Sequence, residues 1–235
     1  MKKMKIYADG AVLEEMVEAY KSGAVSGFTT NPTLMKRAGV ASYANFAKEV
    51  LKTISDLPIS FEVFADTLVE MEAEAIEIAT WGENVYIKIP IMTTTGETTI
   101  PLIRKLSAKG LKLNITAIMT GEQVEQTVES LSLGTQNIVS VFAGRIADSG
   151  RDPIPYMVAA KKCCAQKAGT ELLWASPREV LNIFQAAELG VDIITCTPEI
   201  IAKYQAAGKD LEQISLETVQ MFYRDSQALG YTVFE

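Results

Sequence analysis

The stretch Val85-Tyr86-Ile87-Lys88-Ile89-Pro90, "VYIKIP", decides how the whole chain reads. Five of its six residues are apolar or aromatic, a run typical of a strand buried on both faces, as in a parallel sheet covered by helices. Lys88 stands in the middle of it. A lysine is almost never buried without a partner or a task, so the same six residues predict a core strand and a functional side chain.

Working outward, seven further runs read as strands: 5–9 (KIYAD), 25–31 (VSGFTTN), 59–65 (ISFEVFA), 111–117 (LKLNITA), 137–143 (NIVSVFA), 171–176 (ELLWAS) and 191–197 (VDIITCT). Helical periodicity fills the gaps in LEEMVEAYKSG, VEMEAEAIEIATWG, TTIPLIRKLSAKG, GEQVEQTVESLSLG, PREVLNIFQAAELG and PEIIAKYQAAG, each closed by a glycine that suits a helix C-terminus. Pro177 and Pro198 sit where a first helical turn accepts proline. Eight βα units in 235 residues predict an α/β fold, a (β/α)8 TIM barrel. A doubly wound open sheet would want a glycine-rich phosphate loop after the first strand, and ADGAVLEE is not one. The run SLETVQMFYRDSQALG adds a C-terminal helix. No linker or repeat divides the chain, so one domain is expected over 1–235, with the barrel in 1–212 and a helical extension in 213–235.

Composition narrows the chemistry. Hydrophobic residues make up 48% and charged residues 22%, ordinary for a protein with a large core. No apolar run approaches the length of about 18 residues that a membrane span needs. MKKMKIYADG begins basic but lacks an apolar segment, so no signal peptide and a cytoplasmic location are expected. Of the three cysteines, Cys163 and Cys164 are adjacent, Cys196 is distant, and no CxxC occurs; reduced, packed thiols are expected. The net charge of −7 argues against a nucleic-acid partner, which needs a basic surface. Histidine is absent, which removes His-ligated zinc and Ser-His-Asp triads. Proton transfer falls to Asp, Glu, Lys, Tyr or water, and neither cofactor nor metal is expected.

In a TIM barrel the active site lies at the C-terminal ends of the strands, and strand side chains alternate between faces. Seven strands place a polar group near that end: Asp9, then Thr29 with Asn31, Glu62, Lys88, Asn114 with Thr116, Ser140 sharing a face with Phe142, and Ser176. A purely structural barrel fills those layers with Val, Ile and Leu. A lysine in an apolar site disfavours its ammonium form, and the neutral amine attacks carbonyls to form a Schiff base. Asp9 and Glu62 are the candidate proton shuttles, with Thr116 placed to hold a water. A structural ion pair of Lys88 with Asp9 or Glu62 is the competing reading. Arg145 and Arg178 follow the sixth and seventh strands with Ser176 between them; with a helix N-terminus at Arg178, they form an expected oxyanion pocket.

The motifs GFTTNPTLM, YIKIP, LNITAI, SVFAGRI and WASPRE, in this order, resemble the small transaldolase/fructose-6-phosphate aldolase family from the first strand to the eighth. The resemblance implies a class I aldolase on an (α/β)8 barrel. Lys88 would form the Schiff base with a ketose phosphate, and Asp9 would handle the proton of carbon–carbon cleavage. Asn31 and Asn114 would hold substrate hydroxyls or the Schiff base, and Glu62 with Thr116 would position the catalytic water. Arg145, Ser176 and Arg178 would bind phosphate. It also implies a pentamer or decamer, with the C-terminal helix on a neighbour.

Family aldolases that release dihydroxyacetone carry Gln and Tyr where this chain has Glu62 and Phe142, as transaldolases do; transfer to an aldehyde acceptor is therefore expected over release. Departures fall at the rim: Gly10 for Thr, Val141 for Pro, Ala143 for Val, Pro177 for Phe or Ile, and a longer, hydroxyl-rich IMTTTGETT. They leave open a 6-deoxy-6-sulfofructose substrate, whose sulfonate carries one negative charge. A simple aldolase and a non-catalytic sugar-binding barrel also stay open.

Overall fold

A computed structural model of the chain describes residues 3–234. Eight parallel strands close in chain order into a barrel. They are β1 (Lys5–Asp9), β2 (Phe28–Thr29), β3 (Ile59–Glu62), β4 (Val85–Pro90), β5 (Leu113–Ile118), β6 (Asn137–Val141), β7 (Thr170–Trp174) and β8 (Ile193–Cys196). Every predicted strand is present. The second shrinks from seven predicted residues to two, because Asn31 turns into a helix cap: its side chain accepts from Leu34 N at 3.0 Å.

The helices that cover the barrel are α1 (Leu13–Ser22), α2 (Pro32–Arg37), α3 (Tyr43–Thr53), α4 (Leu68–Ala79), α5 (Ile100–Ala108), α6 (Gly121–Ser130), α7 (Ala143–Asp148), α8 (Ile154–Cys164), α9 (Leu181–Glu188) and α10 (Pro198–Gln205). A capping box of Thr120 and Gln123 opens α6, satisfying two amides that the helix itself leaves unpaired. The helical runs legible in the sequence do not include α2, α3, α7 or α8. After β7 the sequence predicts a helix that begins at Pro177. Instead α9 begins at Leu181, because Arg178 N and Glu179 N both donate to Asn182 Oδ1, at 2.8 and 3.2 Å. Arg178 therefore lies in a loop and not in a first helical turn. Beyond the barrel, α11 (Leu211–Ala228) is capped by Asp210 and buries none of its residues.

The period of two in each strand sorts side chains into two cores. Outward residues such as Phe28, Phe61, Ile87, Ile115, Val139 and Trp174 are fully buried against the helices. Inward, Tyr7, Tyr86, Ile138, Leu173, Ala175 and Ile193 form a separate cluster that plugs the barrel. Gly27 makes room for this plug: a Cβ there would lie 2.6 Å from the Tyr7 ring. The next inward positions toward the C-terminal end are polar. Register sets them level, pairing Asp9 with Thr29, Glu62 with Lys88, and Lys88 with Asn114. Among the described residues no helix is long and apolar enough to cross a membrane.

Candidate active site

Lys88 is 6% exposed. A buried ammonium is tolerated only with partners, and Lys88 has two. Its Nζ lies 3.0 Å from Glu62 Oε2 on the adjacent strand and donates to the Thr30 carbonyl oxygen at 3.0 Å. The register of β3 on β4 puts the carboxylate beside the amine.

Asp9 stands on β1 in the same layer. The Thr29 hydroxyl donates to its carboxylate at 2.7 Å, and Thr29 in turn meets the Thr195 hydroxyl at 2.6 Å. Burial raises the Asp9 carboxyl above its ordinary value, against the opposing pull of the Lys88 charge and the Thr29 hydrogen bond. Thr116 Oγ1 is buried and has no hydrogen-bond partner among the described residues. Asn114, fully buried, donates to Ser60 Oγ at 2.9 Å and accepts from Ser140 Oγ at 2.6 Å.

These groups open on a cavity of about 480 Å³. Asp9, Thr29, Asn31, Glu62, Lys88, Thr116, Ser140, Phe142, Arg145, Ser176 and Arg178 all line it. Asn114 does not; it lies under the wall as a bridge between Ser60 and Ser140. Ser176 and Ala117, both in the wall, are the two non-glycine residues with positive φ among those described, at 58° and 61°. Such a conformation costs on the order of 1–2 kcal/mol and marks a position held by its surroundings. Gly144 is part of that hold: a methyl group there would overlap the Ser176 carbonyl oxygen.

At the anion end the two predicted arginines differ. The exposed Arg145 guanidinium makes no hydrogen bond or ion pair among the described residues. Arg178 is forked onto Asp148, with Nε donating to Oδ1 at 3.0 Å and a second bond from its terminal nitrogen to Oδ2. This pairing holds the Asp148 carboxyl below its usual range. Thr195, Thr30 and Arg37 are site residues that sequence reasoning missed. Thr195 shares strand parity with the plug residue Ile193 and was legible from that; Thr30 acts through its backbone, which no side-chain pattern reveals.

A closed β/α barrel whose C-terminal mouth gathers an ion-paired lysine, a buried aspartate and arginines over one cavity has the layout of a barrel enzyme. Comparison with known proteins sharpens that class. The transaldolase/fructose-6-phosphate aldolase family model matches residues 6–233, and the chain belongs to that family. A probable transaldolase from Moorella thermoacetica is 35% identical over 195 residues, covering 82% of this chain and 85% of that one. Another from Dehalococcoides mccartyi is 33% identical over 200 residues, covering 84% and 88%. A crystal structure of 3-hexulose-6-phosphate synthase from Salmonella typhimurium superposes with a TM-score of 0.58 at 17% identity, covering 83% of this chain and 89% of that one. That match speaks for the fold alone.

Proposed function

We propose that this transaldolase-type enzyme transfers a dihydroxyacetone unit from a ketose 6-phosphate of the fructose 6-phosphate type to an aldehyde acceptor. The observation that carries the reading is Lys88, buried at the cavity floor with Glu62 at 3.0 Å. The Lys88 amine attacks the ketose C2 carbonyl, and water leaves to give the Schiff base. Asp9 takes the C4 hydroxyl proton as the C3–C4 bond breaks, and the aldehyde phosphate departs. The three-carbon enamine stays on Lys88 until it adds to the acceptor. Water held by Glu62 and Thr116 then releases the new ketose. Thr29, Asn31 and Ser140 shape the floor, with Asn114 beneath it, and Phe142 offers no hydroxyl to protonate the enamine, which favours transfer over release of dihydroxyacetone. Arg145, Ser176 and Arg178 receive the phosphate.

One observation favours a second reading, the same transfer from 6-deoxy-6-sulfofructose. Asp148 already occupies the Arg178 fork, so the anion end offers less net positive charge than two free guanidiniums, which suits a monoanion.

The test is borohydride reduction in the presence of fructose 6-phosphate or the sulfosugar, with and without erythrose 4-phosphate. A reduced three-carbon adduct on the Lys88 peptide, absent from Lys88→Ala, is expected, with turnover only when acceptor is present. Retained turnover in Lys88→Ala would falsify the mechanism. The donor that turns over faster decides between phosphate and sulfonate, and turnover without acceptor means an aldolase.

A further inference from the structure

Tyr43, the first residue of α3, lies outside the cavity wall, yet its hydroxyl meets other atoms of both residues that hold Lys88. The phenol donates to the Glu62 carbonyl oxygen at 2.9 Å, and the Thr30 hydroxyl is its second polar neighbour. Glu62 supplies the carboxylate and Thr30 the carbonyl that flank the amine. Thr30 is further tied to β3 by its hydroxyl, which donates to Ser60 O at 3.0 Å.

The ring that carries this hydroxyl is fixed on several sides. It stacks on Phe64 at 4.4 Å between centroids and 5° between planes. It also meets Trp81 at 5.2 Å and Phe61 at 6.0 Å, both near edge-on. Aromatic pairs in these geometries hold a ring against rotation. Phe61 and Glu62 are neighbours on β3, so alternation sends one outward to the aromatic cluster and the other inward to Lys88. The hydroxyl is thus delivered at a set point behind the end of β3.

We propose that Tyr43 is a positioning residue: through the Glu62 backbone and Thr30 it sets where the carboxylate and carbonyl stand around the Lys88 amine. The inference rests on the reading of Lys88 as the nucleophile. Tyr43 does not line the cavity, so its loss acts on the geometry of the reacting groups and not on donor binding. Misplacement of such groups by about 1 Å costs on the order of 100-fold in rate, and removing one hydrogen bond that holds them costs less.

Tyr43→Phe keeps the ring and its three aromatic neighbours, so the variant is expected to fold. Its kcat should fall about tenfold, with the KM for the ketose donor unchanged and borohydride trapping slowed in step. A second arm uses no substrate: trinitrobenzenesulfonate labelling of Lys88, read by peptide mass spectrometry against the other lysines, should change in rate at fixed pH. Equal kcat and equal Lys88 labelling in the two proteins overturn the proposal, including when only the melting temperature drops, since the hydroxyl is then structural. If the parent itself forms no adduct, the nucleophile reading falls, and the labelling arm still judges whether Tyr43 positions the amine.

Discussion

Asp9 is held in an environment that disfavours its own charge. Burial lifts its carboxyl above the ordinary aspartate value of 3.8, so the folded chain binds that proton more tightly than the unfolded chain does. Its contribution to stability is therefore fully present below pH 3.8 and is lost as pH rises through the folded value. Asp9→Asn should raise the melting temperature at pH 7 by a few degrees while cutting turnover at least a hundredfold, and the thermal gain should shrink as pH approaches 4. A melting series from pH 4 to 8 checks the sign. An unchanged or lower melting temperature at pH 7 would mean that the Lys88 attraction outweighs burial. The cysteines are shifted by burial too, opposed at Cys164 by the Lys161 charge. Burial pushes the Cys164 and Cys196 thiols up to about 12, while Cys163 is only half-buried. Native-state titration with a disulfide reagent should label Cys163 first and leave the other two until the protein unfolds.

At the level of elements, the site depends on how loops from neighbouring strands touch. Gly144, the second residue of α7, packs against the Ser176 carbonyl, and its amide donates to Ala175 O at 3.3 Å. Gly144→Ala must push the β7 loop away, at about 1–3 kcal/mol for overpacking. The KM for the anionic donor should rise tenfold or more, while Lys88 is still trapped by substrate. A variant with unchanged KM would show that the anion end tolerates a displaced Ser176. This contact joins residues 32 positions apart and leaves no sequence signal beyond a glycine. The strands were legible because each is an apolar run, seven of them with a polar residue near the C-terminal end, as in Asp9, Glu62 and Lys88. Asn114 was legible as an inward polar group but not as a buried bridge, since parity gives a face and not a depth. The Asp148 fork on Arg178 was illegible, because an acid on a surface helix has nothing in its local pattern to mark a partner 30 residues away.

For the whole molecule, α11 raises the question of what covers it. Val219, Phe222 and Tyr223 are each about 60% exposed or more, and so are Tyr231, Val233 and Phe234 beyond it. Apolar side chains exposed at i, i+3 and i+4 of one helix are the kind of surface that association covers. A chain ended after residue 210 should elute as a monomer in light-scattering chromatography, and the full chain as a closed homo-oligomer; a monomeric full chain would leave that helix unexplained. The plug of Tyr7, Tyr86, Ile138, Leu173 and Ile193 beneath the lysine layer has a consequence for kinetics. With the barrel stopped from below, entry and exit share one doorway. On the proposed transfer, the aldehyde released in the first half of the reaction would occupy the space that the acceptor needs, so it must depart first. Initial rates measured against both substrates should give parallel double-reciprocal lines, the signature of a ping-pong exchange in which the enzyme waits, carrying three carbons, between two visitors.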